Sequence, residues 1–218
     1  MYANVLNKLL AGQFICSIAF ESEYEQLQGA EFREVVEDWL DKLQMRLARL
    51  GTDGAFFMAP VQVLSSHAKK VSDELASFRD VYGPAVRMLD LIRQAKEGFT
   101  CSAGDYIQLA ELETGLNDSS TLETLLRNLH GVIPGASIKH NNREFLKRLL
   151  DHLKSSGYLI LVNPQNETYQ VTGKIDQLHA VLEFIAEQKA VIGDLVDDKL
   201  MDEETSDLLK ITPGAVDV

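Results

Sequence analysis

Cysteine is nearly absent from this chain: Cys16 and Cys101 are the only two in 218 residues. Two cysteines cannot build a secreted disulfide framework, and there is no Cys-x-x-Cys pair for redox work or zinc. Both are expected as small buried hydrophobes. No apolar run reaches the roughly 20 residues that a membrane span requires. The start, Met1 to Leu10, lacks a signal peptide's charged beginning and cleavage site. The expected address is therefore cytoplasmic, with no membrane partner.

Catalytic signatures are missing as well. No Gly-x-Ser-x-Gly is present to present a hydrolase nucleophile. The dipeptide Gly173-Lys174 looks like the end of a phosphate-binding loop, but that loop needs Gly at 168 and Ser or Thr at 175, where Thr168 and Ile175 stand. A helix start is the better reading. The histidines (His67, His130, His140, His152, His179) show no metal spacing and read as solvated surface residues, with His140 and His152 placed to tune a basic face with pH. Glu111 and Glu113 are two apart on an expected helix, so they diverge rather than pair for acid–base chemistry. The expectation is a protein that is not an enzyme and has neither cofactor nor metal.

What is present is ordinary globular material, 45% hydrophobic and 25% charged, with a net charge of −12. Such acidity disfavours nucleic acid, but it is unevenly spread. Residues 21–41 hold eight acids against Arg33, a balance of −7, and residues 194–218 hold eight against Lys199 and Lys210, a balance of −6. The remainder sums to +1, and within it Lys139, Arg143, Lys147, Arg148 and Lys154 face only Glu144 and Asp151.

In chain order, residues 2–10 read as a helix with Val5, Leu6, Leu9 and Leu10 inward, followed by a brief strand at 14–18 and a small helix at 23–28. A long helix is expected from Glu31 to Leu50, because Phe32, Val35, Val36, Trp39, Leu40, Leu43, Leu47 and Leu50 keep helical spacing. Gly51 caps it, Thr52 to Gly54 turns, and Ala55 to Ala59 forms a strand that Pro60 ends. Helices at 63–80 and 84–97 link to a second half. There, Ser102 or Asp105 opens a helix through Leu116, and Ser119 or Ser120 caps another through Leu129. A loop at 131–135 precedes the most informative stretch.

That stretch runs from His140 to Thr172. Phe145, Leu146, Leu149, Leu150 and Leu153 make one side of a helix apolar, while Arg143, Lys147 and Lys154 lie near another stripe with Arg148 at its margin. Gly157 ends the helix in the left-handed cap conformation. Tyr158 to Val162 and Thr168 to Thr172 form a hairpin around the turn at 163–167. A basic-faced helix feeding a hairpin is the sequence shape of a winged helix, and the first half repeats the same order. A final amphipathic helix starts near Thr172. The expected fold is mainly α with small β-hairpins (α+β): a first winged-helix domain at 1–62, a helical linker at 63–97, a second winged-helix domain at 98–193 and an acidic tail at 194–218.

Tandem winged helices, an acidic first unit and an acidic tail resemble the MukE/MksE family, the kite-type accessory subunits of bacterial condensins. The closest phrases are Leu9-Leu-Ala-Gly-Gln-Phe-Ile-Cys16, Leu153-Lys-Ser-Ser-Gly-Tyr-Leu159 and Tyr169-Gln-Val-Thr-Gly-Lys-Ile-Asp176. The resemblance spans roughly residues 5–190 and is closer to MksE than to MukE. It implies a non-enzymatic subunit that dimerises, grips a kleisin and, through it, serves an SMC ATPase. It further implies weak, non-specific DNA contact in chromosome organisation and segregation or plasmid defence, in a nucleoid-associated complex.

Two readings of the basic helix stand side by side. Lys139, Arg143, Lys147, Arg148 and Lys154 would contact phosphates and bind more weakly as salt rises. Alternatively the helix is a solvated face, with Glu144–Arg148 and Lys147–Asp151 paired at i,i+4. The acidic face at 21–41 is either solvated, a repulsive surface toward DNA, or a dock for a basic partner segment. The strand from Tyr158 to Val162 either offers an exposed edge to an extended partner strand or is buried within a two-strand wing. The rival function is a stand-alone transcription regulator reading an operator.

Overall fold

The computed structural model describes residues 2–61, 83–137 and 139–192. The expected helix at 63–80 and the acidic tail from 194 lie outside these residues. The structure is mixed α and β, with two small antiparallel sheets. Among the described residues no helix is long and apolar enough to cross a membrane.

The first unit begins with α1 (Tyr2–Leu10), which buries Val5 and Leu9. Helices α2 (Glu21–Gln28) and α3 (Ala30–Asp41) follow, then strands β1 (Met45–Arg49) and β2 (Phe56–Pro60). The two strands pair antiparallel from Met45–Pro60 to Arg49–Phe56. The brief strand expected at 14–18 is a single bridge, where Ile15 and Phe56 exchange backbone hydrogen bonds of 2.8 Å. Val5, Leu9, Ile15, Leu27, Val36, Leu40 and Phe56 pack together as the core of this unit.

The helix expected to reach Leu50 stops at Asp41. Leu43 and Gln44 N–H groups bond back only three residues, to Leu40 and Asp41, which tightens the last turn. Gln44 then adopts φ +58°, a left-handed conformation that no helix can continue through. Residues 45–49 find their hydrogen bonds across the hairpin instead. Trp39 and Leu43, expected inward, are 53% and 56% exposed.

The second unit opens with a helix over residues 83–95, here α4. Expected as a linker, it packs inside this unit's core through Ala85, Val86, Met88, Leu89, Leu91 and Ile92. Strand β3 (Tyr106–Gln108) comes next, where sequence alone suggested a helix opening at Ser102 or Asp105. Asp105 does cap, but it caps a turn: its carboxylate accepts the N–H groups of Thr100 and Ser102. Helix α5 (Leu109–Asn117) starts only after β3. Helix α6 (Ser120–Asn128) is capped by the Ser119 side chain, which accepts the Leu122 N–H, as expected. A single 3-10 turn follows at Leu129–Gly131.

Helix α7 (Asn142–Ser155) has a full capping box. Asn141 accepts the Glu144 N–H at 2.8 Å, and the Glu144 carboxylate accepts the Asn141 N–H at 3.2 Å. Phe145, Leu146, Leu149, Leu150 and Leu153 are all buried, each contributing roughly 1.5–3 kcal/mol by leaving water. Gly157, at φ +82°, turns the chain into β4 (Leu159–Asn163). The Asn163 side chain accepts the N–H groups of Gln165 and Asn166, holding the turn into β5 (Thr168–Val171). The sheet order is β3-β5-β4, so β5 is central and β4 is an edge. Helix α8 (Lys174–Ile192) closes the described chain.

The two units meet at Gly173. Its N–H donates to the Cys16 Sγ at 3.3 Å in a buried bond. A Cβ at this position would sit 2.9 Å from Cys16 Cβ and 3.2 Å from Ala55 Cβ. Only the absence of a side chain lets the start of α8 approach the first unit this closely. Cys16 and Cys101 are both buried free thiols, and burial pushes the Cys101 thiol up to about 12.

Candidate nucleic-acid interface

The basic residues named from sequence lie on or beside α7, because its apolar stripe faces the core and turns Arg143, Lys147 and Arg148 outward. The structure then brings acids to them from elsewhere in the chain. Arg143 Nη1 lies 2.8 Å from Glu113 Oε2 of α5, and Nη2 bonds the Glu167 carboxylate in the hairpin turn. Lys147 Nζ reaches the other Glu167 oxygen at 3.0 Å. Lys154 pairs with Asp151 at 3.5 Å. Hydrogen bonding to Glu113, with the Glu167 charge, raises the Arg143 pKa above its ordinary value.

The expected i,i+4 pairs give way to these longer-range ones. Glu144 is committed to the capping box, and Lys147 turns to Glu167 rather than Asp151. Among the described residues, Lys139 and Arg148 have no acidic partner. The Arg148 guanidinium lies against Gly135, where a Cβ would meet it at 2.9 Å. Glu167 is held at φ +48°, which aims its carboxylate back over α7.

Two cations with no site role assigned from sequence shape this region. Arg127 of α6 donates to the His140 carbonyl and, at 2.7 Å, to Asn142 Oδ1, so it fixes the approach to α7. Lys174 Nζ donates to the Ser156 carbonyl at 2.7 Å, with the rings of Tyr158 and Phe14 at 4.9 and 5.5 Å. Burial lowers its pKa. Its sequence signal was only an isolated Lys after Gly, which carries no hint of either ring.

His140 is committed too, its Nδ1 accepting the Ser137 N–H at 3.1 Å. His179 is half-buried rather than solvated, and burial lowers its pKa. Glu111 and Glu113 go to different cations, Lys96 and Arg143. Among the described residues no three His, Cys, Asp or Glu side chains gather as a metal set.

A second feature lies at the edge strand. A groove of about 680 Å³ runs between β4 (Leu159 to Leu161) and the first unit's Ala11 to Phe14, with Lys154 and Lys174 at its margin. Among the described residues β4 pairs only with β5, so its outer N–H and C=O groups face this side without a strand.

No protein-family model matches the chain, and neither does any curated protein.

Proposed function

We propose that the chain is an MksE-like, kite-type accessory subunit of a bacterial condensin-type complex. It is non-enzymatic: it holds a kleisin, reaches an SMC ATPase through that kleisin, and contacts DNA weakly without strong sequence specificity. It works as a homodimer within nucleoid-associated machinery for chromosome organisation or plasmid defence. In this reading each unit is a winged helix. Both units share the order helix, short extended stretch, helices, hairpin, and in both the extended stretch pairs with the hairpin's last strand, Ile15 with Phe56 and β3 with β5.

The observation that carries the reading is that β4, among the described residues, pairs on one edge alone and lines a groove shared by both units. An extended kleisin segment added there gains main-chain hydrogen bonds, with Lys154 and Lys174 favouring an acidic segment. The DNA contact falls first to Lys139 and Arg148. Arg143, Lys147 and Lys154 must give up Glu113, Glu167 and Asp151 before they meet phosphate, which keeps the contact weak.

The test is an affinity pull-down of the tagged full chain from its native lysate, washed at high salt, with mass spectrometry of the eluate. A kleisin and an SMC ATPase are expected. A chain that elutes alone, yet prefers one DNA sequence strongly, overturns the reading in favour of a transcription regulator.

A further inference from the structure

Among the described residues, the first unit carries a strip of exposed apolar surface. Tyr2 stacks on Phe32 with ring centroids 4.4 Å apart, and Val35 continues the line half-buried. Trp39 and Leu43 follow, more than half exposed, and Val61 is 44% exposed. A 3.1 Å bond from the Val61 N–H to the Gln44 carbonyl places Val61 opposite Gln44, the residue after Leu43. Phe32, Val35, Trp39 and Leu43 recur at spacings of three and four, so they form one stripe along α3 and its last turn.

A second row runs next to it. Glu31, Glu34 and Asp38, all exposed, share the same spacing on the side of α3 turned from the core. The cations closest to this row in sequence are Arg33, Lys42 and Arg46. Lys42 Nζ already lies 4.5 Å from the Trp39 ring centroid, so the indole face accepts an ammonium group.

We propose that this strip docks a basic amphipathic helix of a partner protein. Its apolar residues would lie on Trp39, Leu43 and Val61, and its Lys or Arg side chains over Glu31, Glu34 and Asp38. Trp is enriched at interface centres, and the acidic row selects a basic partner. The stripe from Phe32 to Leu43 is roughly 16 Å long at helical rise, the length of about three turns of a facing helix. A second copy of this chain is a poor occupant, since two-fold pairing would set one acidic row against another. The site is on the unit opposite to α7 and uses different chemistry from the β4 edge, so it stands apart from the kleisin reading.

Trp39 is the sole tryptophan, so fluorescence of the intact chain reports on this strip alone. The probes are three synthetic peptides of about 15 residues, or four turns. The first has Leu at helical spacing flanked by Lys, the second replaces Lys by Glu, and the third scrambles the first. The Lys peptide is expected to blue-shift Trp39 emission, shield it from acrylamide, and bind at least about tenfold tighter than the other two. Leu43→Asp and, separately, Glu34→Lys with Asp38→Lys should each weaken it by about tenfold while leaving the circular-dichroism melt unchanged. Equal binding of the scrambled peptide, no spectral change, or variants that bind normally would overturn the proposal. So would a Trp39 already shielded from acrylamide in the free chain, which would mean the chain's own residues or a second copy cover it.

Discussion

Helices α3 and α7 stand at the same place in their units, each directly before a hairpin, and they differ in packing and in surface charge. Helix α7 buries five side chains and carries a capping box; α3 fully buries only Val36 and Leu40 and starts from Gly29 without a side-chain cap. The outer face of α7 is basic, whereas that of α3 is acidic and bears Trp39. The hairpin after α7 belongs to a three-stranded sheet, and that after α3 gains only the Ile15 bridge. The same order of elements therefore buries one side of α7 along its whole length and leaves much more of α3 exposed. What differs is how much of the helix circumference the core claims, and the rest is left to surface chemistry.

The sharpest way to break that comparison is in the cores. Phe145→Ala removes a fully buried ring from α7 and should cost about 3–5 kcal/mol, whereas Trp39→Ala at the exposed indole of α3 should fall within about 0.5 kcal/mol. Urea unfolding followed by circular dichroism measures both. An equally large loss from Trp39→Ala would mean that α3 is more deeply packed than its exposure indicates.

Gly173→Ala comes next, with an expected loss of about 1–3 kcal/mol from overpacking against Cys16 and Ala55. Adding Cys16→Gly removes the nearer Cβ and should recover part of that loss, giving a non-additive cycle. Strict additivity would show that the units are not pressed together at this point.

The caps give a smaller contrast. Asn141→Ala should cost about 1 kcal/mol by freeing the Glu144 N–H, while Gly29→Asn in α3 should gain only a few tenths. Thermal melts of the two variants check this.

The smallest stability effect is expected from Glu167→Gln, under about 1 kcal/mol because its ion pairs are near the surface. Its effect on DNA is the informative part. With only Lys139 and Arg148 engaged, log K should fall with log salt at a slope of about −1.8; releasing Lys147, while Glu113 still holds Arg143, should steepen it toward about −2.7. Fluorescence anisotropy of labelled duplex DNA across a salt series measures the slope. An unchanged slope would remove Lys147 from any phosphate contact.

Local signals made much of the second unit legible. The stripe from Phe145 to Leu153, the cap at Ser119, the stop at Gly157 and the turn at 163–167 each depend on residues within a few positions of one another. The misread elements depend on distant strands. Leu43, Leu47 and Leu50 keep helical spacing, yet β1 forms because β2 lies alongside and Gln44 breaks the helix between them. Tyr106 to Gln108 is too short to announce itself and becomes a strand only through β5.

The candidate site divides in the same way. Sequence alone determined that α7 is helical, which side is buried and that its outer residues are basic, because a helix fixes all three through spacing within a few turns. Tertiary structure decided that Glu113 and Glu167, 30 and 24 residues from Arg143, would meet those cations. It also decided that β4 would be an edge and that Trp39 would face solvent. Ion pairs, sheet edges and exposed faces are set by which distant elements come to lie beside a residue, and no local spacing encodes that.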